Sequence, residues 1–103
     1  MYSTVLVTAP DLDASRKISR RVIEERLAAC ANIFPIHSIY RWKGEAVEEE
    51  EHAILLKIRS EDFEALRNAV LEIHPYEVPC VVRYEISEGH QPYLDWIGES
   101  TQR

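Results

Sequence analysis

At 103 residues the chain has room for one domain with a proper core and none for a second. Eighteen Asp and Glu against 12 Lys and Arg give a net charge of −6, which excludes the basic footprint that nucleic acid or an anionic membrane surface requires and leaves cations as easier partners. No apolar run approaches the ~18 residues of a membrane span, the opening MYSTVLVTAP lacks the basic and apolar regions of a secretory leader, and Cys30 and Cys80 form no CxxC pair. The expectation is a cytoplasmic protein with two free thiols.

The run TVLVT (Thr4 to Thr8), closed by Ala9-Pro10, reads as a buried strand. Asp11 or Asp13 then caps a helix expected to reach about Ala29. Helical spacing sets Ile18, Val22, Ile23, Leu27 and Ala29 on one apolar arc that also contains Arg26, whose stem is expected to lie over the core and snorkel. The segment Ala31 to Ser60 has one turn signal, Lys43-Gly44-Glu45, and so predicts a single long hairpin. Pro35 marks the first arm as bulged or at an edge.

Each arm of about a dozen residues would reach roughly 40 Å at ~3.3 Å per residue, more than so small a domain can cover. Phe34, Ile36, Tyr40 and Trp42 fall on one face of the first arm, an apolar stripe that another subunit is expected to cover. On the second arm Ile54, Leu56 and Ile58 face one way, and Glu49, Glu51, Ala53, Leu55 and Lys57 the other. The acidic run Glu48 to Glu51 reads as a solvated hairpin tip.

Ser60 is expected to cap a second helix through His74, with Phe63, Leu66, Ala69, Val70 and Ile73 on its apolar stripe and Pro75 ending it. PCVVRYEI is the last strand, with Cys80, Val82, Tyr84 and Ile86 on one face, where Cys80 is expected to be a small core residue. A terminal helix starts at Pro92 and anchors through Tyr93, Trp96 and Ile97. Strand, helix, strand, strand, helix, strand plus a final helix is an α+β, βαββαβ ferredoxin-like sandwich with a long hairpin.

Chemistry concentrates in EIHPYEVPC (Glu72 to Cys80). His74, at a helix end, reads either as a histidine with a backbone or subunit partner or as a metal ligand. Glu77 and Cys80 complete an H-x2-E-x2-C set that could hold copper or zinc, a spacing that by itself specifies no metal. The chain has no G-x-S-x-G elbow, no Gly-rich phosphate loop and no H-E-x-x-H, so no catalytic role is expected. An acid–base pair of His74 and Glu77 is the enzyme alternative.

EERLAACANIFPIHSIYRWKGE, EEEHAILLKIRS, IHPYEVP and YLDWI, in that order, resemble the CutA divalent-cation-tolerance family over the whole chain, residues 1–103 as one domain. The resemblance implies a PII-like homotrimer joined through long hairpins, a non-enzymatic protein that binds Cu2+ or another divalent cation weakly and responds to metal ions. It also implies inter-subunit clefts lined by Trp42, Lys57, His74, Tyr76 and Glu77, with Tyr93 and Trp96 nearby. Where a relative with an assigned copper site has a cysteine before TAP and two histidines before PY, this chain has Val7, and Ile73 followed by His74. The metal ligands expected here are therefore His74, Glu77 and Cys80. A PII-like regulator holding a small metabolite in the cleft is the alternative.

Overall fold

Alternation governs the first strand of the computed structural model, which describes all 103 residues. Along β1 (Tyr2–Ala9), Ser3, Val5, Val7 and Ala9 are buried and the intervening side chains are half-exposed, so the run is covered on one face only. β2 (Cys30–Trp42) and β3 (Glu45–Arg59) form the hairpin, and β4 (Val81–Glu85) closes an antiparallel sheet of order β2-β3-β1-β4. With α1 (Leu12–Glu24) and α2 (Phe63–Ile73) on one face, this is the expected ferredoxin-like α+β sandwich.

The core lies between that face and the two helices. Val5, Val7, Ile54, Leu56 and Ile58 meet Ile18, Val22, Leu66 and Val70, all at 0–1% exposure. Burying each such side chain is worth about 1.5–3 kcal/mol. The pairing of Val5 with Leu56 and of Val7 with Ile54 sets these side chains together.

Asp11 caps α1, its side chain accepting the Ala14 N–H at 2.8 Å. The helix ends at Glu24, five residues earlier than expected, because Arg26 turns left-handed with φ 58°. Arg26 N–H bonds to Ile23 O and Leu27 N–H to Val22 O, a Schellman end with arginine in the position glycine usually takes. Arg26 is therefore not a snorkelling arc residue. It is exposed and donates to Gln102 O at 3.0 Å, while Arg103 donates to Arg26 O at 2.7 Å and to Asp62 at 2.6 Å.

Lys43 (φ 50°) and Gly44 (φ 82°) make a two-residue turn of the I′ type, and the hairpin register runs unbroken from Trp42↔Glu45 to Cys30↔Lys57. Pro35 is tolerated because β2 is an edge strand; there is no bulge. Beyond the Pro35↔His52 rung no third strand accompanies the pair, since β1 ends at Ala9 opposite His52. The ribbon stretches the chain to 44 Å, with a radius of gyration of 14.1 Å against ~13 Å for a compact domain of this length. Glu48 to Glu51 lie along this ribbon, not at its tip.

Ser60 caps no helix. It opens a 3-10 turn, and its hydroxyl meets that of Ser3 at 2.6 Å. In β4 the face expected to be core points away from the helices, because Val81 stands opposite Val7 and Arg83 opposite Val5. Val82 and Tyr84 are consequently 41% and 54% exposed, and Cys80 belongs to the open side. α3 (Gln91–Ser100) carries Pro92 at its second position and is anchored by Ile97 and Gly98, whereas Tyr93 and Trp96 stay about 40% exposed. Arg59 holds its end, donating to Gly98 O and, at 2.9 Å, to Thr101 Oγ1.

Two substitutions test these contacts by urea denaturation. Asp11→Ala removes a cap and should cost about 1 kcal/mol. A Cβ at position 98 would meet the Tyr2 hydroxyl at 2.6 Å, so Gly98→Ala should destabilise by about 1–3 kcal/mol. The same change in a Tyr2→Phe background should be close to neutral.

Candidate functional site: a cleft at the base of the ribbon

The loop between α2 and β4 is shaped by its first proline. Pro75 disfavours helical backbone at His74, which adopts φ −74° and ψ 133° and swings its ring back toward β1. The imidazole then reaches Thr8 O from Nε2 at 2.8 Å and receives the Tyr76 N–H on Nδ1 at 3.1 Å. A carbonyl only accepts and a backbone N–H only donates, so the ring is the neutral Nε2–H tautomer with both nitrogens engaged.

Tyr76, held in this way, crosses the cleft. Its ring lies 4.8 Å from that of His74, and its hydroxyl donates to Glu51 at 2.5 Å. Glu51 is 6% exposed, the one member of the acidic run to be buried. Burial first, then the Glu51 hydrogen bond, push the Tyr76 phenol up and keep it protonated. Nearby, the Tyr40 hydroxyl donates to Glu49, and this bond is the main cause of its pKa rising to about 12.

The space so bounded measures about 890 Å3, a size that suits a small ligand. Thr8, Glu51, Tyr76, Glu77 and Cys80 form one side, and His37 to Trp42 of the hairpin the other. The structure thus brings together Trp42, Tyr76, Glu77 and Cys80 with His74 behind them. Glu77 and Cys80 line the cleft and His74 does not, and no three His, Cys, Asp or Glu side chains of the chain are grouped to hold an ion. Burial pushes the Cys80 thiol up against an opposing hydrogen bond with Thr8, and Glu51 adds to the rise.

Lys57, Tyr93 and Trp96 lie elsewhere. Lys57 pairs with Cys30, and Trp42 with Glu45, at opposite ends of a register thirteen residues long, ~40 Å by strand rise. Tyr93 stacks on Trp96 at 5.5 Å beside Cys30, which is half-exposed on the open face and not a core residue. Sequence reasoning missed Thr8 and the burial of Glu51. The Ile36↔Glu51 rung sets Glu51 on the face of Tyr40, and its cover comes from a loop 25 residues away.

Titration of tyrosinate absorbance at 295 nm checks the hydroxyl bonds. Tyr40 should titrate near 12, and Glu49→Gln should return it toward its ordinary ~10. Because the folded state holds this proton more tightly, the contribution of the bond is complete below pH ~10 and is lost as pH rises through about 12.

The fold has close counterparts. A sequence profile described as the CutA1 divalent ion tolerance protein matches residues 3–100. The divalent-cation tolerance protein CutA of Thermus thermophilus is 46% identical, over 98% of this chain and 99% of its own. Its solved structure superposes with a TM-score of 0.95, covering 99% of this chain and 100% of that one. The Archaeoglobus fulgidus counterpart, described as a periplasmic divalent cation tolerance protein, is 39% identical with a TM-score of 0.97, over 99% and 100% of the two chains. A Nostoc structure described as a PII-like protein CutA is 33% identical with a TM-score of 0.90, over 97% of both chains. No helix is long and apolar enough to cross a membrane. By profile, by identity over its full length and by fold, this chain belongs to the CutA1 divalent ion tolerance family.

Proposed function

We propose that this chain acts as a divalent-cation tolerance protein of the CutA type: a non-enzymatic homotrimer that binds divalent metal cations such as Cu2+ weakly and takes part in the response to metal ions. The observation that carries the assembly is the bare face of the sheet. Phe34, Tyr40 and Trp42 on β2 and Val82 and Tyr84 on β4 are 37–54% exposed, large apolar side chains left in water at both edges of the sheet. Copies of the same chain are the cover that fits, because the ribbon is long enough to reach across a neighbour.

Weak cation binding agrees with the state of the donors. A cation reaching His74 must displace the Tyr76 N–H, and one reaching Cys80 must first remove a proton that burial holds in place. The engagement of both imidazole nitrogens likewise argues against an acid–base role for His74. Free Cys30 and Cys80 thiols suit a reducing compartment, and we assign the protein to the cytoplasm. A second reading, a PII-like regulator with a small metabolite between subunits, is favoured by the separation of Trp42 and Lys57, which only a second copy could bring to one cleft.

Native mass spectrometry should give a three-subunit mass at micromolar concentration, and a monomer would remove the basis of the assembly. Calorimetric titration with Cu2+ should show binding at least threefold weaker in His74→Ala and in Cys80→Ser. Isotherms identical to wild type would end the ligand roles of these residues.

A further inference from the structure

A second cavity, of about 540 Å3, shares no residue with the cleft of Tyr76 and Trp42. It lies where the 3-10 turn Ser60–Asp62 meets the residues that follow α3, and Arg59, Glu61, Asp62, Thr101, Gln102 and Arg103 line it. None of the six is apolar. Two guanidiniums and two carboxylates balance its charge, and nothing in the lining suits a hydrocarbon body.

Hydrogen bonds within the chain set the two arginines around Thr101. Arg59 donates from Nε to Thr101 Oγ1 at 2.9 Å and from a terminal nitrogen to Gly98 O, while Arg103 donates to Thr101 O at 3.2 Å and to Asp62 Oδ1 at 2.6 Å. Both acceptors of Arg59 are neutral oxygens, and three of its five N–H hydrogens have no acceptor within the chain.

Asp62 is the odd group in this set. It is 8% exposed, and its second oxygen, Oδ2, is buried without a hydrogen-bond partner. The residue stands at the N-cap position of α2, where a carboxylate ordinarily takes a backbone N–H, yet its side chain caps nothing. A buried charged oxygen left unpaired is costly, so the cavity lacks a donor at Asp62 and has hydrogens to spare at Arg59.

We infer that this cavity binds a small zwitterion, an α-amino acid with a short or polar side chain, its ammonium on Asp62 Oδ2 and its carboxylate on the free edge of Arg59. A net anion would meet Glu61 and Asp62, and a net cation Arg59 and Arg103; a molecule with both charges close together finds a partner at each end. All the lining residues come from one chain. The site therefore rests on neither the trimer nor metal binding.

Amide chemical shifts from two-dimensional NMR test this with glycine and L-serine as probes, and with acetate and glycinamide, which carry one charge each, at constant ionic strength. The amino acids should move the amides of Glu61, Asp62, Thr101 and Gln102 saturably, and acetate and glycinamide should bind at least about tenfold more weakly. Asp62→Asn keeps an acceptor for Arg103 and turns the second atom into a donor. With native mass unchanged, it should lose about tenfold in affinity for glycine, and the remote control Arg16→Met should keep it. Acetate or glycinamide binding as tightly as glycine overturns the proposal, and so does an Asp62→Asn protein of native mass that binds like wild type. If both amino acids leave these amides unmoved at about 100 mM, the cavity holds water only and the proposal falls. If Asp62→Asn loses its native mass, the comparison of glycine with acetate and glycinamide on the wild type decides by itself.

Discussion

The register of β3 against its two neighbours is the constraint from which the other features follow. With Leu56 opposite Val5, every even position of β3 from Ile54 to Ile58 points at α1 and α2 and every odd one at the opposite face of the sheet. One residue of slip would send Lys57 into the core and Leu56 into water, at a cost no loop contact could offset. The same register decides that Glu51 stands where Tyr76 can reach it, and that Cys30, Lys57 and Thr4 form one row on the face opposite α1 and α2.

On that basis the loop with His74 is a piece of architecture before it is a ligand set. Thr8 O, the imidazole, the Tyr76 N–H and the Tyr76 hydroxyl form a continuous path from β1 to Glu51, crossing three elements that are distant in sequence. Each bond contributes about 0.5–1.5 kcal/mol, more where it meets the charged Glu51. The path fixes the mouth of the cleft in one geometry. Whatever enters the cleft meets the faces of Tyr76 and Trp42 and the carboxylate of Glu77 before it meets the histidine.

The sandwich was legible because its signals are periodic: β-branched alternation, a helical apolar arc after Asp11, and a hairpin with a single Lys-Gly turn. The errors fall where a backbone choice or a distant contact overrides the period. Arg26 adopts a left-handed conformation that its own chemistry does not favour, so helical periodicity ran past the true end of α1. Cys80 sits on the apolar-looking side of β4, yet pairing with β1 turns the side with Arg83 and Glu85 to the helices, because β4 is an edge strand that the helices cover poorly. Ser60 looked like a cap and instead found a hydroxyl 57 residues away. The resemblance named one set of residues, and only the register shows that Trp42, Tyr76 and Glu77 stand apart from Lys57, Tyr93 and Trp96 within one chain.

The strap at the end of α1 has a consequence for how the molecule is made. The bonds that stop the helix, Arg26 to Ile23 and Leu27 to Val22, are local and can form as soon as that segment is synthesised. The bonds that pin it, from Arg26 to Gln102 and from Arg103 back to Arg26, join residues 76 and 77 positions apart. A nascent chain therefore carries α1 finished but untethered until residues 102 and 103 have emerged, and only then can the strap close over the end of the helix.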